Sequence, residues 1–261
     1  MTCTQTVELN GITADGSDID ATYQVMEPGI TGLGAPPPKG NDMSVASEHG
    51  AVTGPDLVGS RVLRVPIAVQ VPDDPQAAMA AWRLLQTAWS PSSEDQTLTV
   101  TIPGIGPSDD ALRFFGRARG ATDPNLQLLH GGIVRCLATF EALDPIGYGP
   151  EETVNDSGSF GVTNSGDVSS RRATVTITSA AATAKLTNFD DGEAFIEFAS
   201  APSTVVIDLF RKTVVNGSGT DIYATSGVLT TSTWPRNVPG LNNWVLTGGG
   251  SVSFVHRDGW W

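Results

Sequence analysis

The chain has 261 residues with 28 acidic and 15 basic side chains, giving a formal net charge of −13. This balance argues against direct nucleic-acid binding, because affinity for a phosphate backbone comes mainly from Lys and Arg contacts. The length predicts two domains, and 29 Gly and 17 Pro beside 39% apolar residues favour many short strands over long helices.

The first 60 residues combine a predicted hairpin with a long irregular segment. Residues 4–9 alternate and lead into Asn10-Gly11, a strong hairpin signal. From residue 27 to 60 the chain is rich in Gly, Pro, Ser and Asp, contains Pro36, Pro37 and Pro38, and lacks apolar periodicity. A long loop of this kind is either disordered or ordered against a partner, and the sequence leaves both alternatives open.

A strand and a helix are predicted next. Residues 61–71 alternate between apolar and other side chains, which predicts a strand that packs on one face. Asp73-Asp74-Pro75 then predicts a helix start with an Asp N-cap and Pro at the first helical position. We expect the helix over residues 75–89, because an apolar stripe runs to Trp89 and Pro91 stops it.

Four further strands are predicted before the chain changes character, at 97–102, 111–120, 126–129 and 133–142. The second of them carries Arg117 and Arg119 on one face, because side chains two residues apart point the same way. Residues 144–150 break the pattern, and a polar stretch follows to Ser170. We therefore place the domain boundary here, with domains 1–150 and 151–261.

The second domain is predicted to be an antiparallel β-sandwich without a helix, because short apolar runs alternate with Gly-, Asn- and Asp-rich turns. The runs are 173–179, 184–188, 194–198, 205–210, 213–215, 227–229, 243–246 and 251–256. The sequence ends on Trp260 and Trp261, whereas residues near a terminus usually fray into water. These two aromatic side chains predict a covering surface, either the chain's own core or a neighbour.

The sequence nominates no catalytic, metal-binding or cofactor-binding residue. His49, His130 and His256 show no metal-ligand spacing with one another or with Cys3 and Cys136. Neither a nucleophile elbow nor a phosphate-binding glycine loop is present. A pair of catalytic carboxylates brought together from distant strands stays open as an alternative. We expect a protein that is not an enzyme and uses no metal or cofactor.

The N-terminal sequence and the apolar runs bear on location. No apolar run approaches the length of a membrane span, and the first residues lack the basic start and apolar stretch of a signal peptide. We therefore expect no membrane insertion and folding in a cytoplasm.

Four tryptophans near the C terminus allow two interpretations. Trp234, Trp244, Trp260 and Trp261 would form a platform for sugar rings in a carbohydrate-binding sandwich. Packing in a core or an interface is favoured, because Trp244 lies in an alternating strand and aromatic residues are enriched in interfaces. The carbohydrate alternative assigns glycan contacts to Trp234 and Trp244.

The order of these parts, more than any single motif, resembles a known family. A β-rich domain with one helix is followed by Phe-Glu-Ala-Leu-Asp-Pro at 140–145, and then by a sandwich that closes with Pro-Gly-Leu-Asn at 239–242 and Arg-Asp-Gly-Trp at 257–260. This order resembles the distal tail protein of long-tailed bacteriophages (siphoviruses), in particular minor tail proteins of phages that infect actinobacteria. The resemblance spans nearly the whole chain and is weakest over residues 27–60.

The resemblance implies a mainly β structural protein of the virion, located at the tail tip or baseplate and made in the host cytoplasm. Its first domain would be a tail-tube-like β-barrel or sandwich that forms a ring, usually a hexamer, and its second a galectin-like β-sandwich that projects outward. The implied partners are further copies of the chain, the tail tube protein, the tape-measure protein and the tail-associated hub protein. Genome DNA would pass through the ring without specific binding.

Several features then become interface candidates. Residues 27–60, including Pro36, Pro37 and Pro38, would form an arm ordered against a neighbouring protomer. Arg117 and Arg119 would contact acidic neighbours across the ring, with an ordinary exposed strand face as the alternative. Trp260 and Trp261 would be covered by another chain. The acidic balance would suit a DNA-conducting lumen, since like charges repel.

The alternative function belongs to a different class. The chain would be an adhesin for host attachment, in which the second domain binds glycans of the host cell envelope through Trp234 and Trp244.

Overall fold

The computed structural model describes residues 4–39, 43–44, 51–52, 57–104, 111–181, 183–223, 228–229 and 231–261. These residues are mainly β, as predicted, with one α-helix among them. The chain divides into two compact units, residues 1–147 together with Trp261, and residues 148–260.

The first unit contains eleven strands and two helical segments among its described residues. The strands are β1 (Thr6–Leu9), β2 (Ile12–Asp15), β3 (Tyr23–Val25), β4 (Pro38–Lys39), β5 (Met43–Ser44), β6 (Ala51–Val52), β7 (Leu57–Val58), β8 (Arg61–Gln70), β9 (Gln96–Thr101), β10 (Ala111–Ala121) and β11 (Ile133–Ala142). The helices are α1 (Pro75–Ala88) and a 3-10 helix (Leu129–Gly131).

Seven of these strands form one antiparallel sheet in the order β2-β1-β9-β10-β11-β8-β3. The strands at the two ends of this sheet, β2 and β3, contact each other, which shows that the sheet is curled. In the strand predicted at 61–71 from its alternating residues, Leu63, Val65 and Ile67 point into the core. Each of them is at most 1% exposed. This curled sheet agrees with the predicted barrel-like or sandwich-like first domain.

Helix α1 begins as predicted. The Asp74 carboxylate accepts a hydrogen bond from the backbone N–H of Ala77 at 2.9 Å, and Pro75 is the first helical residue. Trp89 caps the C terminus and is buried. The helix packs on β8, β10 and β11, so it covers one part of the curled sheet.

The strand predicted at 126–129 is wrong. Asn125 pairs with Arg135, and the chain then turns into the 3-10 helix, which ends at Gly132 in the left-handed region with φ 74°. Leu126 and Leu128, which gave the segment its strand-like alternation, are exposed. The apolar side chains of this alternating segment therefore do not pack into a core.

The segment 27–60 is more regular than its composition predicts. Among its described residues β4 pairs with β7 and β5 pairs with β6, both antiparallel, with the second pair nested inside the first along the chain. Thr31 exchanges two backbone hydrogen bonds with Arg64, both 3.0 Å long. The prediction of an irregular loop is therefore wrong at these short strand pairs, whereas residues 27–37 are irregular apart from the bridge at Thr31.

The second unit is an antiparallel β-sandwich, as predicted. Its strands are β12 (Gly147–Asp156, starting at the last residue of the first unit), β13 (Ser159–Asn164), β14 (Ala173–Thr178), β15 (Lys185–Asn188), β16 (Ala194–Glu197), β17 (Thr204–Asp208), β18 (Thr213–Asn216), β19 (Gly240–Thr247) and β20 (Ser251–Trp260). One sheet has the order β18-β17-β14-β20-β12, and the other β13-β19-β15-β16.

Residues 144–170, where the sequence predicts a break in the strand pattern and a domain boundary, contain two strands of this sandwich, β12 and β13. In β13 Phe160, Val162 and Asn164 are buried, and the residues between them are exposed. The alternation of Phe160 and Val162 was visible in the sequence, but the surrounding Asn, Ser and Gly residues obscured it. The last two strands also extend beyond the predicted limits, and of the strand predicted at 227–229 the described Val228 forms a single bridge with Phe198.

Candidate interaction surfaces

The two arginines predicted on one face of β10 have different partners. Arg119 places its Nε and Nη2 atoms 2.8 and 2.6 Å from Oε2 of Glu141 on β11. The Ser60 hydroxyl donates to the other oxygen of Glu141 at 2.9 Å. The hydrogen bonds from Arg119 and Ser60 lower the pKa of Glu141. Arg119 is thus engaged within its own chain.

Arg117 is less tightly held. Its Nε atom lies 3.9 Å from Oδ1 of Asp95, and both side chains are partly exposed. That Nε atom has no hydrogen-bond partner among the described residues. An exposed pair at this distance contributes little to stability. The Nε atom itself is buried, although the Arg117 side chain as a whole is partly exposed.

The prolines lie beside a pocket of 460 Å³ in the first unit. Its walls are formed by residues from 32–37 and 60–64, including Pro36 and Pro37, whereas Pro38 begins β4. The backbone over the pocket is attached at each end, through Thr31 to Arg64 and through the Pro37 carbonyl, which accepts from Gly59 N at 3.0 Å. We call residues 32–36 the strap.

Arg61 lines this pocket and was not singled out from the sequence. It is 2% exposed, and its guanidinium carbon lies 5.4 Å from the centre of the Phe114 ring. Burial lowers the pKa of Arg61. A signal was present, because Arg61 occupies the same strand face as Leu63 and Val65, where the alternation predicts a buried residue.

The tryptophans assigned to glycan contacts are buried in the second unit. Trp244 is 0% exposed, with its ring centre 4.8 Å from that of Phe254, and its Nε1 donates to Asn237 Oδ1 at 3.1 Å. Trp234 is 9% exposed and stacks on Tyr223. A sugar-stacking platform needs an exposed aromatic face, so the structure contradicts this role for Trp234 and Trp244.

The terminal tryptophans differ in exposure. Trp260, the last residue of β20, is half-buried, and Trp261 is 43% exposed. Both therefore keep some accessible surface, and they remain interface candidates.

Two of the motifs that carry the sequence resemblance, at 239–242 and 257–260, have structural roles in the second unit. The side chain of Asn242 closes the Pro-Gly-Leu-Asn turn, accepting from Val238 N and donating to Val238 O, both at 2.8 Å. Gly240 in this turn has φ 94°, in the left-handed region that favours glycine. In the Arg-Asp-Gly-Trp motif Asp258 accepts from Ser165 N at 2.9 Å, and Gly259 donates to Asn164 at 3.2 Å.

His256 is a buried titratable residue that the sequence did not nominate. It is 2% exposed, with Nδ1 3.5 Å from Asp258 Oδ1 and Nε2 4.0 Å from Glu152 Oε2. Since both ring nitrogens face carboxylates, His256 does not show the Ser-His-Asp arrangement of a nucleophilic triad.

The described residues form neither a metal-binding cluster nor a membrane-spanning helix. They contain no group of three or more His, Cys, Asp or Glu side chains that could hold a metal ion. His49 lies outside the described residues. Within the described part of the chain no helix is long and apolar enough to cross a membrane.

The geometry defines a class of protein with a curled, helix-bearing β unit followed by a β-sandwich, and solved structures of this class exist. The SPP1 Dit protein, part of the hub adsorption apparatus in phages that infect Gram-positive bacteria, is similar over 97% of this chain and 98% of its own, with a TM-score of 0.70 and 19% identity.

Two structures of the phage P2 baseplate in its activated conformation are also similar. A chain of the baseplate with Ca matches over 98% of both chains with a TM-score of 0.54 and 10% identity. A chain of the baseplate with Sr matches over 97% of both, with a TM-score of 0.53 and 11% identity. No family model matches the sequence, and no curated protein matches it. The chain therefore has the fold of SPP1 Dit, which confirms the predicted resemblance at the level of the fold.

Proposed function

We propose that this chain is a structural protein of a phage tail tip, with the role of a distal tail protein at the hub of the baseplate. The observation that carries the proposal is the similarity to SPP1 Dit, which includes both units and nearly the full length of each chain. A match confined to the β-sandwich unit would show only a common fold, and proteins with many unrelated functions share that fold.

In this role the first unit forms a ring, with six copies as the expected number, and the second unit projects from it. The ring joins the tail tube to the tail tip and contacts the tail tube, tape-measure and tail-associated hub proteins. DNA passes through the lumen during ejection. The net charge of −13 supports this passage, because an acidic protein surface does not retain a polyanion.

Contacts between protomers are assigned to the accessible features described above. The Arg117 side chain is partly exposed, Pro36 and Pro37 line a pocket at the strap, and Trp261 is 43% exposed. The two residues that the adhesin alternative assigns to glycan contacts, Trp234 and Trp244, are buried and present no exposed ring face to a sugar.

The native mass over a concentration series tests the proposal. Light scattering coupled to size-exclusion chromatography should give a fixed multiple of the 27.3 kDa chain, with six as the expected value. A mass that rises without limit would indicate open polymers, and would contradict a closed ring.

A further inference from the structure

His256 is buried in the second unit between two carboxylates. It is 2% exposed, its Nδ1 lies 3.5 Å from Oδ1 of Asp258, and its Nε2 lies 4.0 Å from Oε2 of Glu152. His256 Nδ1 and Asp258 Oδ1 are both buried atoms without a hydrogen-bond partner among the described residues. Buried polar atoms of native proteins are rarely left unsatisfied, so this pair needs a physical explanation.

The protonation state of the ring decides what it can bind. A neutral imidazole has one N–H donor and one acceptor nitrogen, whereas an ionised carboxylate only accepts. A neutral His256 can therefore donate to Asp258 or to Glu152, and its other nitrogen then faces an acceptor. The imidazolium has two N–H donors and suits both carboxylates.

The Asp258 carboxylate gains most from a protonated ring. Asp258 is 5% exposed, and a buried carboxylate is costly unless it is paired with a positive charge. Its Oδ2 atom accepts from the uncharged backbone N–H of Ser165 at 2.9 Å. The basic side chain within ion-pair distance of Asp258, among the described residues, is His256.

The strands around β20 also show where the nearby charges are directed. β13 and β14 both contact β20, and neither contains a charged residue. On β12, Glu152 faces His256, whereas Glu151 accepts from Arg257 Nη2 at 2.8 Å. Arg257 is therefore engaged with Glu151, and the counter-charge for Asp258 depends on His256.

Asp258 and Gly259 hold the connection that follows β13. Besides the bond from Ser165 to Asp258, Gly166 packs so closely on Gly259 that an added Cβ would lie 1.8 Å from the Gly259 carbonyl oxygen. We call residues 165–168 the clasped segment. A carboxylate that loses its counter-charge is more stable in water, and opening the clasped segment admits water to Asp258.

We propose that His256 is a proton-dependent clasp of the second unit, which holds the clasped segment on β20 when the ring is protonated and releases it when the ring is neutral. An imidazole in water changes its charge between about pH 5 and 8. Because the closed clasp binds the proton better than the open one, the clasped segment is held at the acidic end of this range and loosens as the pH rises. The clasp lies within the second unit and does not depend on the proposed ring.

Hydrogen exchange of the full native chain tests the clasp, followed by mass spectrometry at pH 5.5 and pH 8.0 and corrected for the intrinsic exchange rate. In the wild type, protection of the clasped segment should fall at least tenfold from pH 5.5 to pH 8.0. His256→Gln has no imidazole to protonate and should change less than twofold. Equal responses of the wild type and His256→Gln would overturn the clasp.

The chain has three histidines, so the other two provide the matched control. The double variant His49→Gln with His130→Gln keeps His256 as its single histidine and should show the wild-type response. A response lost in this variant, or a wild-type protection that rises with pH, would overturn the proposal. If His256→Gln fails to fold, Glu152→Gln, at a side chain 56% exposed, should reduce the wild-type response by at least half. An unchanged response of Glu152→Gln would overturn a clasp made of two carboxylates.

Discussion

Trp244 is a residue for which the structure and the sequence-based alternative make opposite predictions. Its ring lies in the core of the second unit, against Phe160 and Phe254. Trp244→Ala should lower the free energy of unfolding by about 3–5 kcal/mol, because it leaves a large cavity and an unpaired Asn237. Urea unfolding of the second unit measures this change. Phe189→Ala, at a position 52% exposed, is the control and should cost less than about 1 kcal/mol. A folded Trp244→Ala variant of unchanged stability would contradict the buried position.

The Arg119–Glu141 pair gives a prediction about pH. The Arg119 hydrogen bonds lower the pKa of Glu141, so their stabilising contribution is present at neutral pH and is lost as the pH falls through that lowered pKa. Arg119→Met should raise the pKa of Glu141 in an NMR titration. It should lower the free energy of unfolding at pH 7 by about 0.2–1 kcal/mol, as for other exposed pairs, with no difference near pH 2. Arg117→Met is the control, and a larger shift in that variant would contradict the assignment.

At this scale the sequence predicts burial better than it predicts partners. The alternation of β8 places Arg61 on the buried face. It cannot show that Phe114, from a strand distant in the sequence, lies beside the guanidinium. Arg117 and Arg119 share a strand face as predicted, but the partner of Arg119 lies on β11 and follows from strand pairing.

At the scale of elements, the strap depends on one close approach. A Cβ at Gly32 would lie 2.0 Å from the Val62 carbonyl oxygen, and φ at Gly32 is 93°. Gly32→Ala should therefore separate the strap from β8 and expose the backbone N–H groups of Thr31 and Arg64, each of which donates to the carbonyl of the other residue. Hydrogen exchange at these two amides should accelerate at least tenfold.

Gly34→Ala provides the matched control for this prediction. A Cβ at Gly34 has no atom within 4 Å, and the position has no positive φ. The same two amides should exchange at the wild-type rate in this variant. Equal acceleration in both variants, or in neither, would contradict the assigned role of Gly32.

Elements with a clear period or cap were predictable, and those with mixed composition were not. The Asp74-Pro75 start and the apolar stripe define α1, because capping and helical periodicity are local. β12 and β13 escaped prediction because Gly, Pro, Glu and Asn mask their period, and Leu126–Leu129 imitates a strand without a core behind it. Whether an apolar alternation is buried depends on the rest of the chain, which a local pattern does not contain.

At the scale of the whole molecule, the order of the strands in the sheets could not be predicted from the sequence. β14 pairs with β20, about 80 residues later, and β1 pairs with β9 across the whole of α1 and the segment 27–60. Such pairings follow from long-range packing, and the order of domains and motifs predicts the fold only through resemblance. The full-length similarity to SPP1 Dit at 19% identity shows how far the sequence can change within this fold.

Negative-stain imaging of the purified native protein tests the central claim most directly. The proposed tail-tip role predicts closed rings of constant diameter with a central hole, and sixfold symmetry in the class averages. Single compact particles of one chain at every concentration, with no rings, would contradict the proposal that this chain forms the ring by itself.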